Sequence, residues 1–405
     1  MCICREDENV RPKGRTGEDE RLTFITILHS MMSNHMKGEP TTMSDNNTTT
    51  QATSSLLPPP PQMEEPIPPW EQKKPTAAPA PSYKKTRADE YFSSGQFDKD
   101  VAAYQAYGKR TTGYANLDHI QPFYPGFYVL GAISSLGKTT FAHQMADQLA
   151  SAGEHVLYFS LEQNRFELYS KSLARGFGQT NRADAAAQNR PSSYPTPSSI
   201  DLRRGEGESY PTEMADQVNQ YTKAVEDRMI IIDGAFSLTV EDIAQIVNDF
   251  IHDTKCKPVV IVDYLQIVAP STQGNKTLNT KESVDYIVHT LKALQSDDEL
   301  TVIVISSLNR QNYMTPIDYE SFKESGGIEY TADVVWGLQL AVMSEEIFNK
   351  EGKIKEKRET IRDAKSAMPR AIDLVCLKNR YGIANYTVHF DYYPKSDMFV
   401  PVIGP

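Results

Sequence analysis

Gly131-Ala132-Ile133-Ser134-Ser135-Leu136-Gly137-Lys138-Thr139-Thr140 lies between an apolar run, Phe127-Tyr128-Val129-Leu130, and a segment with helical periodicity. From Thr139 to Ala150, Phe141, Ala142, Met145, Ala146 and Leu149 fall along one helical face, and Gly153 suits the left-handed residue that closes such a helix. The loop therefore sits between a buried strand and a helix, the setting of a phosphate-binding loop. Small residues let backbone N–H groups turn inward toward phosphate oxygens, and the helix N-terminus adds partial positive charge. Gly131 to Gly137 is one residue longer than the common glycine form, so the matching frame starts at Ala132. Ala132, Ser134, Ser135, Gly137, Lys138, Thr139 and Thr140 are thus the candidate nucleotide-binding residues. Lys138 is placed to reach the β and γ phosphates, and the Thr139 hydroxyl to hold Mg²⁺.

A nucleotide site of this kind needs an acidic partner. Pro258-Val259-Val260-Ile261-Val262-Asp263-Tyr264 ends an apolar strand in Asp263, the candidate second Mg²⁺ residue; the plainer alternative is an acid that caps the next turn. A third strand, His155 to Leu161, runs into Glu162. Ligands of open parallel sheets gather beyond the carboxyl ends of the strands, which puts Glu162 near a γ-phosphate, where it would orient the attacking water. As a plain loop acid it would face solvent instead.

Further apolar runs span Arg228 to Asp233, Leu300 to Ser306, Ala332 to Leu340 and Ala371 to Leu377, and helical patterns cover Val240 to Ile251 and Val284 to Leu294. Continuous apolar strands alternating with helices predict an α/β fold with a mostly parallel sheet covered by helices on both faces. Tyr386 to Tyr393 alternates polar and apolar residues, so a C-terminal antiparallel hairpin with the Ala371 strand is expected.

Seven elements follow in one order: Thr112-Gly113-Tyr114 through Leu117-Asp118, the phosphate loop, Phe159-Ser160-Leu161-Glu162, Asp263-Tyr264-Leu265-Gln266, Ser307-Leu308-Asn309-Arg310, Glu324-Ser325-Gly326-Gly327-Ile328-Glu329 and Lys378-Asn379-Arg380. This series, over about residues 104 to 395, resembles the C-terminal ATPase domain of DnaB-type replicative DNA helicases, a RecA-like P-loop NTPase fold, and the variants carried by phages and mobile elements. The resemblance implies ATP and Mg²⁺ as ligands, with Lys138, Thr139 and Asp263 serving them and Glu162 as catalytic base. It also places Lys378 and Arg380 on a Lys-x-Arg element that reaches the neighbouring subunit's ATP site; read from the residues alone they are two edge-strand charges. A homo-oligomer follows, a hexameric ring on single-stranded DNA, with a primase or helicase loader as further partner. Two polar loops, Ala269 to Lys281 and Gln311 to Lys323, correspond to the channel lining, with Lys276, Lys281, Arg310 and Lys323 as candidate phosphate contacts or as solvated loop cations.

The chain departs from the family in two places. Ser307 stands where the family usually has a Gln, and its side chain is too short for the same reach. Nothing in residues 1 to 85 resembles the family's helical N-terminal collar. Ten of the 25 prolines fall between Pro58 and Pro81, beside the Thr/Ser/Asn-rich Thr41 to Ser55, so a disordered lead is expected. Met43 would make a plausible start. Residues 86 to 108, with Tyr91, Phe92, Phe97, Val101 and Tyr104, read as an amphipathic linker helix, which in the family docks on the adjacent subunit. Residues 109 to 400 form the ATPase domain. Gly176 to Tyr210 reads as an irregular surface excursion in which Arg203 and Arg204 carry no role.

Composition fits a cytoplasmic enzyme. Arg21 to Met36 is too short and polar to span a bilayer, and no signal peptide is evident. Cys2, Cys4, Cys256 and Cys376 form neither a disulfide framework nor a zinc pattern, and the last two read as core thiols. A net charge of -11 excludes a protein that coats duplex DNA through general basicity, yet allows a locally positive channel. The reading is an ATP-dependent DNA helicase. The alternatives are a non-unwinding DNA-dependent ATPase module that serves a primase or initiator, and a RecA-like recombination ATPase.

Overall fold

Strands that are apolar at every position must be buried on both faces, and the sheet is built from them. In the computed structural model β1 (Gly126–Ala132) and β4 (Val259–Asp263) are buried along their whole length. They are joined by β2 (Val156–Ser160), β3 (Met229–Asp233), β5 (Thr301–Ser307), β6 (Val334–Leu340), β7 (Arg370–Asn379), β8 (Thr387–Tyr393) and β9 (Met398–Val402) in the spatial order β3-β2-β4-β5-β1-β6-β7-β8-β9. The first six of that order are parallel neighbours and the last three pair antiparallel. Leu130 lies level with Ile305 and Trp336, so the phosphate-loop strand holds the middle of the core.

The structure describes residues 86–120, 122–188, 196–205, 210–234, 238–268, 280–309, 313–322, 325–350 and 352–403. Residues from Tyr91 onward make up one unit, and the fold is that unit's. The expected disordered lead, residues 1 to 85, lies outside the described residues, as do the Arg21 to Met36 cluster and Met43. Among the described residues no helix is long and apolar enough to cross a membrane.

The expected strands, helices and C-terminal hairpin are all present, and β9 extends the hairpin by one strand. Helix Lys138–Ser151 closes as its sequence implied. Gly153 has φ +101°, and the amides of Gly153 and Glu154 return to the carbonyls of Ala150 and Leu149 at 3.1 and 3.0 Å. Two expectations need correction. The excursion from Gly176 is helical: one helix runs Arg165–Ala187, followed by Ser199–Arg204 and Tyr210–Val225. Arg203, given no role, pairs with Glu167 at 2.6 Å and ties the first two of these together. The linker is two helices, Ala88–Ser93 and Gln96–Tyr107, separated at Gly95 with φ +69°. The second buries no residue; Phe92, Phe97 and Val101 stay exposed, while Tyr104 stacks on Tyr124 at 4.2 Å between centroids. Cys256 and Cys376 are buried, as expected of core thiols.

Behind the Lys138 helix lies a buried polar cluster. Asp147 accepts from Ser172 (2.7 Å), Tyr221 (2.9 Å) and Arg175 (2.5 Å), and Arg175 also donates to the Asp397 carbonyl at 2.8 Å. His143 is fully buried beside them, which depresses its imidazole to about 4 and keeps it neutral. The pairing of Asp147 with Arg175 makes such burial tolerable, and the cluster fixes the Lys138 helix against the Arg165 helix and the turn before β9.

Candidate nucleotide site

The loop between β1 and the Lys138 helix is shaped by two glycines. Gly131 packs so closely that a Cβ there would overlap the Phe322 ring. Gly137 is left-handed at φ +89°, and a Cβ would press on the Tyr392 and Phe399 rings at 3.0 and 3.1 Å. Ser135 is left-handed as well, at φ +68°. Ala132 is the last residue of β1, buried between Ser307 and Leu338. Ser134 and Ser135 are exposed at the loop's crest, with Ser134 Oγ 3.3 Å from Tyr313 Oη and the Ser135 carbonyl 3.4 Å from Arg370 Nη1. Lys138 and Thr139 open the helix, half-buried. The Thr140 side chain turns the other way: its hydroxyl is 3.2 Å from Asp397 Oδ1 and accepts from Lys171 Nζ at 3.0 Å, so it braces the loop from below.

Asp263 ends β4 level with Ser160 of β2 and is 1% exposed. Its Oδ2 accepts from the Tyr158 hydroxyl at 2.8 Å, while Oδ1 is buried without a hydrogen-bond partner. Burial pushes the carboxyl up to about 6; the Tyr158 and Thr139 hydroxyls and the Lys138 ammonium pull it back, and the Glu162 charge adds to the rise. Lys138, Thr139, Glu162 and Asp263 are therefore gathered within electrostatic reach of one another. Glu162 is exposed just past β2, between the strand and the Arg165–Ala187 helix. That helix starts sharply, because Asn164 and Glu167 form a reciprocal capping box. An orphaned buried carboxylate oxygen next to a threonine hydroxyl is an all-oxygen donor set that suits Mg²⁺.

The Asp263 environment sets a pH test. The carboxyl keeps its proton up to about pH 6 when folded but ionises near 3.8 when free, so it adds stability below that lower value and loses it as pH rises through 6. In chelator, the melting temperature of wild type minus that of Asp263→Asn is expected to fall between pH 4 and 7. A difference that stays flat contradicts this account of the site.

Lys378 and Arg380 lie at the opposite end of the strands, on β7 and just past it, and β7 is an inner strand between β6 and β8 rather than an edge strand. β7 runs antiparallel to β6, so its end meets the start of the parallel strands: Asn379 faces Val334, which faces Tyr128. Arg380 Nη1 donates to Asp333 Oδ1 at 2.9 Å and Nη2 to the Tyr330 carbonyl at 3.3 Å, and Lys378 Nζ donates to the Glu329 carbonyl. Burial lowers the Lys378 ammonium's pKa, and the Arg380 charge adds to it. Of the candidate DNA contacts, Lys276, Arg310 and Lys323 lie outside the described residues. Lys281 is in the first turn of helix Thr280–Asp298. Part of the second loop, expected to be simply polar, packs inward: Ile317 and Phe322 are buried, and Tyr319 donates to the Leu377 carbonyl at 2.6 Å. At Ser307, Gln266 covers part of the missing reach, with Oε1 accepting from the Ser307 amide at 3.2 Å and Nε2 donating to Ser306 Oγ at 2.9 Å. Tyr158, Arg370 and Asp333 were missed by sequence reasoning; each sits in or beside an apolar run, and only strand adjacency shows what it meets.

A parallel sheet with a phosphate loop after its central strand and an acid on a nearby strand defines a P-loop nucleotide-binding protein of RecA-like fold. The chain belongs to the DnaB-like helicase C terminal domain family, which it matches over residues 110–400. It is 27% identical over 265 residues to the replicative DNA helicase DnaB of Buchnera aphidicola subsp. Schizaphis graminum, covering 64% of this chain and 49% of that one. It is also 27% identical over 251 residues to the replicative DNA helicase DnaB of Haemophilus influenzae, covering 59% and 47%. The chain thus spans about half the length of these curated relatives. Among solved structures, the ATPase domain of G40P superposes with a TM-score of 0.57 at 21% identity over 79% of this chain and all of that one. A DnaB-like replicative helicase solved in a study of its interactions with primase gives 0.57 at 19% identity, over 79% and 68%.

Proposed function

We propose that this chain is the ATP-hydrolysing motor of a replicative DNA helicase that works as a ring of six copies sharing six sites. The observation that carries this reading is the placement of Arg380. β1 is seven residues long, so about 20 Å separates the phosphate loop at one end from the Asp333–Arg380 cluster at the other. Arg380 cannot serve the nucleotide on its own subunit. A half-exposed cation of this kind is useful to hydrolysis only at a neighbour's site, where it would stabilise charge developing on the transferred phosphoryl group.

The other roles follow from the gathered residues. The loop amides and Lys138 hold the β and γ phosphates, and Thr139 and Asp263 would hold Mg²⁺, which when bound screens the phosphate oxygens. Tyr158 keeps the Asp263 carboxylate turned toward Thr139. Glu162 accepts a proton from the water that attacks the γ phosphorus, and the bond to ADP breaks in line. The DNA substrate is proposed from the named relatives, with the 269–281 and 311–323 loops as the contacting segments and a primase or loader as partner. The exposed Phe92, Phe97 and Val101 face suits docking on an adjacent subunit. Ser307 favours a second reading, a DNA-dependent ATPase that needs a partner to separate strands. The test is hydrolysis of ATP with and without single-stranded DNA. Stimulation that disappears in Lys138→Ala is the expected result, and hydrolysis indifferent to DNA contradicts the motor reading.

A further inference from the structure

We infer that Asp333 is the positioning residue of Arg380, and that it anchors the arginine to the strand carrying the subunit's own phosphate loop. The inference rests on the proposed action of Arg380 at a neighbour's site. Asp333 lies just before β6, and its side chain is 6% exposed. Its Oδ2 accepts from the Phe127 amide at 2.8 Å and from Lys292 Nζ at 2.6 Å, so the carboxylate plane is fixed by groups other than the arginine. The Asp333 amide donates to the Phe127 carbonyl at 2.8 Å, which closes a reciprocal link to β1. Oδ1 faces Arg380 Nη1 at 2.9 Å, and the Asp333 carbonyl accepts the Arg380 amide at 3.0 Å. Both the backbone and the guanidinium of Arg380 are thus held by one residue that is itself bolted to β1.

Arg380 Nη2 rests on the Tyr330 carbonyl, and Lys378 Nζ on the Glu329 carbonyl, near the C-terminal end of helix Ser325–Thr331. That end favours cations. The guanidinium is consequently held at the end of the strands while its side chain remains half-exposed, at 51%. A surface ion pair would contribute little to stability and leave catalysis alone. A positioning pair acts on turnover, since a misplacement of about 1 Å can cost about 100-fold in rate.

The test uses the full chain and compares Asp333→Asn, Lys292→Met and Arg380→Ala, each alone and mixed with Lys138→Ala subunits. Asp333→Asn is expected to lose about 100-fold in kcat with nucleotide binding retained. It should regain activity on mixing, because its intact phosphate loops then meet unaltered arginines on Lys138→Ala neighbours. Lys292→Met, which removes one of the two groups fixing Oδ2, should show a smaller loss that is also rescued, and it keeps the test informative if Asp333→Asn does not fold. A full rate in both single variants overturns the inference. So does a loss that mixing fails to restore while Arg380→Ala is restored, since that outcome marks a folding defect. If Arg380→Ala is itself not restored, the shared-site reading falls and the inference falls with it.

Discussion

Arg380→Ala is expected to lower kcat for ATP hydrolysis by about 10³-fold or more while binding of nucleotide to the same subunit is unchanged. The argument is positional. Arg380 stands beyond the start of β6, next to Asp333, and its own phosphate loop lies at the far end of β1. Removing it leaves Lys138, Thr139 and Asp263 in place, so ground-state affinity should persist. The charge lost is one that counts as the γ-phosphoryl group departs, and such a loss appears in kcat and kcat/KM together. Retention of the full rate in Arg380→Ala would sink the trans assignment.

Glu162→Gln is expected to lower kcat by about 10²- to 10⁴-fold, again with nucleotide bound. Gln keeps the size and reach of Glu162 but cannot accept the proton of the attacking water. The side chain is exposed and sits past β2 rather than in the core, so no loss of stability should accompany the change. A second consequence follows from its neighbour: the Glu162 charge is one of the influences raising the Asp263 carboxyl, and its removal should ease Asp263 toward ionisation. Binding of Mg²⁺ with nucleotide should then be as tight as in wild type or tighter. Turnover within a few-fold of wild type would remove Glu162 from the chemistry and leave it a solvated loop acid.

The centre of the sheet was legible because its strands are buried on both faces. Val259 to Val262 and Val302 to Ile305 have no polar alternative to burial, whereas the strand order, with β1 in the middle, came only from the structure. The β9 strand was not legible: Met398-Phe399-Val400-Pro401-Val402 is short, holds a proline and lies at the sheet's edge, where it pairs only with β8. Residues 176 to 187 looked irregular because Gly176, Gly178 and a run of polar residues weaken the helical pattern. Their helix is held by packing, with Gly178 set closely against Ser396. Within the site, motif order pointed to Lys138, Thr139, Glu162 and Asp263, and these four do come together. It could not show Tyr158 reaching Asp263 across 105 residues of sequence, nor Asp333 reaching Phe127 across 206. Such pairs are set by which strands become neighbours, and no local pattern encodes that.

Gln266 shows the same limit at the end of β5. Ser307 alone suggested a broken connection between nucleotide and DNA loop, yet the Gln266 side chain bridges to the Ser307 amide and the Ser306 hydroxyl. Ser134 meanwhile touches Tyr313 in the second candidate loop. A contact therefore runs between the phosphate loop and the second candidate loop. The most direct measurement is strand separation of a forked DNA duplex with ATP, run beside DNA-stimulated hydrolysis on the same preparation. The account predicts separation that depends on Lys138 and Arg380, whereas stimulated hydrolysis with no separation would contradict it.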